Sequence, residues 1–192
     1  LAVAREHDAV VYLDDAHGAF VSGARGRGSC EAAGLALDGF LYMGTLGKAL
    51  GAQGGFIVGP SALIEFLRNT ARPFIYTTAL ASPVAAAALE ALRVIDEEPQ
   101  HHRTLWERAA SLHRHLALAA REPSHIVPVF LGSPQRALAA AQRLWERGIW
   151  APAIRPPTVP AGTARLRLSV TALHTQPHIA QLIDGLAGLE QA

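Results

Sequence analysis

The sequence has 192 residues, enough for one large domain or for a large domain joined to a smaller one. Half of the residues are apolar and 17% are charged, so the chain can build a core and a disordered protein is excluded. Its 17 basic and 16 acidic side chains leave a net charge of +1, which gives no indication of nucleic acid or an anionic membrane as a partner. With one cysteine, Cys30, and no apolar run as long as a membrane span, we expect a soluble cytoplasmic protein.

Apolar runs alternate with glycine-rich loops and helical patterns in the first half of the chain. Short continuous apolar runs predict buried strands at 9–13, 39–43 and 55–58. Helices are predicted at 61–69 and 83–98. Strands that alternate with helices imply an α/β protein with a mainly parallel sheet and covered faces.

After residue 98 the pattern changes to that of a smaller α+β domain. Its helices and strands are predicted at 100–121, 125–131, 134–147, 149–154, 164–170 and from 176 onward. A proline-rich turn, RPPTVPAG, separates the last two strands. We therefore predict two domains, 1–98 and 99–192.

The chain opens with Leu1 and reaches a strongly apolar segment within ten residues. Residues 1–8 have the character of the end of a helix, so we expect a fragment or a chain that begins inside a domain. Buried parallel strands without their neighbours leave apolar surface and backbone groups uncovered. On this expectation the 192 residues alone do not turn over substrate.

Three side chains that can carry chemistry, Asp14, Asp15 and His17, follow the first predicted strand. Ligand sites in open α/β sheets lie outside the carboxyl ends of the strands. The simpler alternative is that Asp14 only caps the next turn. The motif DDAH also fits the metal-binding acid of a helicase-type ATPase, but the only Gly-Lys pair, at 47–48, lacks the glycine and the hydroxyl residue that a phosphate loop requires.

Lys48 lies in the glycine-rich segment MGTLGKALG, directly after the second predicted strand. Between Asp38 and Glu65 it is the only charged side chain. Desolvation favours the neutral amine, which can attack an aldehyde, and glycines let the backbone approach a bulky cofactor. A solvated surface lysine is the alternative. Thr45 supplies a hydroxyl near the same place.

Asp14 and Lys48 together indicate more than either residue alone. A pyridoxal site needs a lysine to hold the cofactor as an imine and an acid to keep the pyridinium nitrogen protonated. Because the two residues follow successive buried strands, we expect them at one edge of one sheet.

Three segments carry a resemblance to a known family: DDAHGAFVSGARGRG (14–28), TLGKALG (45–51) and IRPPTVPAGTARLRL (154–168). Together they resemble the α-oxoamine synthase family of fold-type I pyridoxal-phosphate (PLP) enzymes, over essentially the whole chain. The resemblance implies that 1–98 form the later part of a large PLP-binding domain and 99–192 a small C-terminal α+β domain. The third segment is most similar to the biotin-pathway branch, which condenses L-alanine with pimeloyl-CoA or a pimeloyl-acyl-carrier protein.

The resemblance also implies roles for residues around the cofactor. Asp14 pairs with the pyridinium nitrogen, and His17 contacts the ring hydroxyl. Lys48 holds PLP as an imine and then acts as the base, while Thr45 helps to bind the cofactor. Thr78 reaches the phosphate of the cofactor in the partner subunit, which implies a homodimer with shared active sites.

Arg165 and Arg167 lie on one face of a predicted strand, because side chains alternate with a period of two. A guanidinium fork suits a carboxylate, although two surface charges are the simpler alternative. The resemblance assigns Arg167 to the carboxylate of the amino-acid substrate and Thr158 to substrate contact. It leaves open a sister synthase that uses glycine (of the 5-aminolevulinate synthase or 2-amino-3-ketobutyrate CoA ligase type) or a catalytically inert fragment.

The histidines of the helix at 100–121 are interpreted as solvated side chains. They are His101, His102, His113 and His115. No acid or cysteine stands near them with the spacing of metal ligands, so no metal site is predicted.

Overall fold

The structure, a computed structural model, describes residues 1–37, 39–116 and 124–190. The chain divides into two compact units, Leu1–His102 and Arg103–Ala192. This division falls close to the boundary predicted from the sequence, and the assignment of 1–98 and 99–192 as domains stays a prediction.

The first unit contains three strands and, in its described residues, five helices together with the start of a sixth. The strands are β1 (Val11–Asp14), β2 (Phe40–Thr45) and β3 (Gly55–Val58). The helices are α1 (Ala2–Glu6), α2 (Ser29–Ala32), α3 (Ser61–Thr70), α4 (Arg72–Ile75), α5 (Ser82–Glu97) and the first residues of α6 (Gln100–His115).

The sheet of the first unit has the order β1-β2-β3. β1 and β2 run parallel, with Asp14 opposite Met43. β3 runs antiparallel to β2, with Thr45 opposite Gly55, which departs from the mainly parallel sheet that the sequence predicts. The reason is the connection: β2 and β3 are joined by a short loop without a crossover helix, and such a loop reverses the chain.

Only the middle strand of this sheet is buried as the sequence predicts. Phe40 and Tyr42 of β2 lie in a small core with Ala19 and Cys30. Tyr12 of β1 is 53% exposed, and the residues of β3 are exposed or half-buried. The prediction of burial was therefore wrong for β1 and β3, because each of them borders only β2 within the described sheet.

The second unit packs helices against an antiparallel sheet. Its strands are β4 (Ile126–Gly132), β5 (Ala153–Ile154) and β6 (Ala164–Ser169), in the order β4-β6-β5, and its helices are the rest of α6, α7 (Pro134–Glu146) and α8 (Gln176–Glu190). The largest side chains that are fully buried in this unit are Leu112, Val127, Leu144 and Leu166. The α+β order predicted for this part of the chain is confirmed.

Two predicted elements are shorter than expected. The strand predicted at 149–154 is reduced to β5, because the backbone N–H of Ile149 donates to the carbonyl of Leu144 at the end of α7 and Pro152 has no N–H to donate. The helix predicted at 100–121 is described as far as His115, and the remainder of that prediction lies largely outside the described residues.

The interpretation of the α6 histidines as solvated is wrong for His102 and His113. His102 is half-buried, with Nε2 2.8 Å from the carbonyl oxygen of Val21. His113 is 9% exposed, with Nε2 2.9 Å from the carbonyl oxygen of Ser124. Across the described part of the chain, no helix is long and apolar enough to cross a membrane.

Candidate active site

Asp14 and Lys48 lie at the same edge of the first sheet. Asp14 is the last residue of β1, and Lys48 follows the end of β2 by three residues. Since β1 and β2 are parallel, their carboxyl ends meet at one edge, as the sequence predicts. A carboxylate and an amine therefore flank the place where open α/β sheets bind ligands.

The carboxylate of Asp14 is exposed and partly engaged by the following turn. Its Oδ1 accepts a hydrogen bond from the backbone N–H of Ala16 at 3.0 Å. The turn-capping role considered above is thus present, but it uses one oxygen, and no described residue donates to Oδ2. His17 is exposed in the same turn.

Thr45 holds the loop that carries Lys48. Its hydroxyl donates to the carbonyl of Gly54 at 3.1 Å and accepts from the backbone N–H of Gly47 at 3.1 Å. The backbone N–H of Leu46 donates to the same carbonyl of Gly54 at 2.9 Å. The cofactor contact assigned to Thr45 remains a prediction; in this structure the side chain closes the base of the loop.

The side chain of Lys48 is exposed, so the described residues do not provide the desolvation that the sequence suggested. Within those residues no ion pair or hydrogen bond engages its ammonium group. Lys48 is also the only lysine in the whole sequence. It is therefore the one side-chain amine of this chain that can form an imine.

The sequence assigned no role to Asp15, which is only 4% exposed. Its carboxylate accepts hydrogen bonds from the backbone N–H of Ser29 at 2.8 Å, the hydroxyl of Ser29 at 2.5 Å and the hydroxyl of Tyr42 at 2.7 Å. Burial, assisted by the hydrogen bond to Asp15, raises the pKa of Tyr42 far above its usual value. The signal was available: two adjacent acids at a strand end point to opposite faces, so one of them is directed inward.

The structure distinguishes the two arginines of β6. Arg165 donates from Nε and a terminal nitrogen to the carbonyl and hydroxyl of Thr163, at 2.9 and 3.0 Å. Its guanidinium also stacks 4.3 Å from the ring centroid of Phe130, the residue opposite it on β4. Arg167 lies two residues along on the same face and borders a concavity of about 500 Å³ within the second unit.

The concavity beside Arg167 combines apolar and polar walls. Trp150 and Ile154 contribute apolar surface, and His174 and His178 contribute imidazole rings. Burial lowers the pKa of His174, and the neighbouring His178 lowers it further. Arg167, whose guanidinium is always protonated, contributes a positive charge to the same concavity.

The other two predicted site residues are exposed. Thr78 lies between α4 and α5 in the first unit. Thr158 lies in the proline-rich turn of the second unit, where its backbone N–H donates to the carbonyl of Arg155 at 3.1 Å. Across residues 1–37, 39–116 and 124–190, no three His, Cys, Asp or Glu side chains gather as metal ligands.

Residues 1–186 match the model of the aminotransferase class I and II family, and the chain belongs to that family. Among individual proteins, it is 47% identical over 197 residues to the 8-amino-7-oxononanoate synthase of Methylobacillus flagellatus, covering 100% of this chain and 50% of the relative. It is 45% identical over 199 residues to the enzyme of the same name from a Janthinobacterium species, covering 100% and 50%. The chain thus spans about half the length of these relatives.

Solved structures agree with this assignment. A serine palmitoyltransferase from S. paucimobilis, solved with a bound PLP–myriocin aldimine, superposes with a TM-score of 0.90 at 33% identity, over 99% of this chain and 49% of the other. The 8-amino-7-oxononanoate synthase of Francisella tularensis superposes with a TM-score of 0.81 at 25% identity, over 99% and 56%. The resemblance to the α-oxoamine synthase family and the fold-type I class are confirmed.

Proposed function

We propose that this chain contributes to a PLP-dependent acyltransferase that makes 8-amino-7-oxononanoate for biotin synthesis. In this reaction L-alanine and a pimeloyl thioester give 8-amino-7-oxononanoate, carbon dioxide and the free thiol of the acyl carrier. The observation that carries the proposal is the placement of Asp14 and Lys48 at the carboxyl ends of adjacent parallel strands. Relatives of that name, 45% and 47% identical over the whole chain, support the substrate assignment.

The residues at this sheet edge fit PLP chemically. The amine of Lys48 has no described partner and can join the aldehyde carbon, with loss of water. Asp14 has a carboxylate oxygen that no described residue engages, available to the protonated ring nitrogen. When bound, PLP withdraws electrons from the substrate α-carbon.

The side chains at this site have separate roles in the proposed reaction. Asp14 would hold the proton on the ring nitrogen, and Lys48 would remove and return the proton at the α-carbon of the amino acid. His17, in the turn after Asp14, contacts the ring hydroxyl, and Thr45 binds the cofactor as it holds the Lys48 loop. Thr78 contacts the cofactor phosphate of the partner subunit in a homodimer.

Arg167 is proposed to bind the carboxylate of L-alanine, with Thr158 also in contact with substrate. The choice of Arg167 follows the family resemblance, and its position at the concavity of the second unit supports it. A guanidinium at a concavity can bind a carboxylate by donating two parallel hydrogen bonds to it.

A sister reaction with another amino acid is the second candidate, favoured by the 33% identity to a serine palmitoyltransferase. Alanine, glycine and serine should therefore be compared in the full-length protein, each with pimeloyl-CoA and pimeloyl-acyl-carrier protein. Faster carbon dioxide release with alanine than with glycine or serine supports the proposed product. A preference for glycine or serine assigns the chain to a sister synthase.

Lys48 gives the direct test of the cofactor site. Borohydride reduction of the protein with PLP should trap one label, on the peptide that contains Lys48. The variant Lys48→Arg keeps the positive charge but cannot form the linkage, so the label should disappear from that peptide. A label of equal yield in Lys48→Arg would contradict the proposal.

A further inference from the structure

The buried carboxylate of Asp15 is built into the end of the sheet. A buried charge is tolerated where hydrogen bonds replace its water, and Asp15 receives three, from Ser29 and Tyr42. These donors come from two different segments, the start of α2 and the middle of β2. The carboxylate therefore ties the residue after β1 to both of them.

The backbone around Asp15 leaves room for this carboxylate. A Cβ on Gly18 would collide with Asp15 Oδ1. A Cβ on Gly28 would lie 2.5 Å from Asp15 Oδ2 and 2.5 Å from the hydroxyl of Tyr42. A side chain at Gly18 or Gly28 would therefore displace the carboxylate of Asp15 or one of its donors.

The hydrogen-bonded carboxylate of Asp15 is an anchor that also constrains the residue before it, Asp14. The backbone N–H of Asp15 donates to Met43 at 2.9 Å, and its carbonyl accepts from Gly18 and Ala19 at 3.0 and 2.8 Å. Asp15 is therefore held through both its backbone and its side chain. Asp14, directly before it, is exposed whereas Asp15 is buried, as expected for alternating side chains.

We infer that Asp15 is a positioning residue of the cofactor site: its buried carboxylate fixes the strand end from which Asp14 meets the ring nitrogen of PLP. The inference rests on the proposed function. The same anchor also fixes the start of the turn that carries His17, so both side chains assigned to the ring depend on it.

Glu31 offers a matched control for this role. Its carboxylate also accepts two backbone hydrogen bonds in the same loop, from Arg25 at 3.1 Å and from Arg27 at 2.9 Å. It holds that loop without bonding to the strand end that carries Asp14. Asp15→Asn and Glu31→Gln therefore make the same chemical change, and only the first disturbs the residue next to Asp14.

The experiment compares these variants in the full-length protein, with PLP affinity, the absorption spectrum of bound PLP and thermal unfolding as readouts. Asparagine replaces one of the two accepting oxygens by an NH2 group and removes the negative charge, so Asp15→Asn should weaken the hydrogen bonds from Ser29 and Tyr42 and misalign Asp14. We expect it to weaken PLP binding at least tenfold and to change the absorption spectrum. Glu31→Gln should lower the melting temperature yet keep PLP affinity within twofold and the spectrum unchanged.

The possible outcomes separate the two proposals. If the wild-type protein forms no linkage at Lys48, the proposed function fails and the inference is overturned with it. If the wild type forms the linkage and Asp15→Asn matches Glu31→Gln in affinity and spectrum, only the inference is overturned. If Asp15→Asn does not fold, Tyr42→Phe is tested in its place, because it removes one of the three hydrogen bonds to Asp15. This variant must change the absorption spectrum of bound PLP. An unchanged spectrum overturns the inference.

Discussion

The hydroxyl of Tyr42 donates a hydrogen bond to Oδ2 of Asp15 at 2.7 Å, between two side chains that are both buried. Tyr42 lies in the middle of β2, whereas Asp15 follows the end of β1. This bond adds a side-chain link to the backbone ladder of the parallel pair. It lies next to the edge where Asp14 and Lys48 are placed.

Replacing Tyr42 by Phe should destabilise the protein. The substitution keeps the ring but leaves the buried carboxylate of Asp15 with one donor fewer, which costs about 1–3 kcal/mol. Urea unfolding at neutral pH measures the change. Tyr12→Phe is the control, because Tyr12 is exposed and its variant should unfold within about 0.5 kcal/mol of the wild type. Equal stability of the two variants would show that the Tyr42–Asp15 bond contributes nothing.

A second comparison uses two glycines with positive φ. Gly28 has φ +98° and Gly34 has φ +65°, so alanine strains the backbone at either position. At Gly34 no atom lies within 4 Å of the added Cβ, and the cost should be about 1–2 kcal/mol. At Gly28 the Cβ would collide with Asp15 and Tyr42, so Gly28→Ala should lower the melting temperature considerably more. Similar melting temperatures would contradict the packing described around Asp15.

The core of the second unit gives a third prediction. Leu144 of α7 is fully buried, whereas Leu138 of the same helix is 46% exposed. Leu144→Ala should cost about 2–5 kcal/mol, because it removes buried methyl groups and leaves a cavity. Leu138→Ala should cost about 1 kcal/mol or less. Circular dichroism during thermal unfolding separates the two, and a larger loss from Leu138→Ala would refute this description of the core.

Arg167→Lys should weaken alanine binding while PLP binding persists. The variant keeps the charge but loses the fork, a loss of about 1.5–3 kcal/mol, or roughly ten- to a hundredfold in affinity. Spectral titration of the PLP-loaded full-length protein with L-alanine measures it. Arg165→Lys should leave alanine affinity nearly unchanged and instead lower stability, since it breaks the contacts with Thr163 and Phe130. If only Arg165→Lys weakened binding, the carboxylate role would move to Arg165.

The exposure of β1 shows where local patterns stop being informative. Runs of apolar residues located all three strands of the first sheet. The reversal of β3 also has a local signal, the short loop after β2, which the predicted parallel sheet did not take into account. The exposure of Tyr12 in β1 depends on which strands are neighbours, and no short window of sequence carries that information.

By itself, the sequence determined the family and the edge that holds Asp14 and Lys48, because short motifs and strand order are local properties of the chain. Only the tertiary structure decided that Asp15 is the buried acid of the DDAH motif, since its donors Ser29 and Tyr42 lie 14 and 27 residues away. It also decided that Arg165 stacks on Phe130, since β4 brings that ring opposite Arg165 only once the sheet has formed.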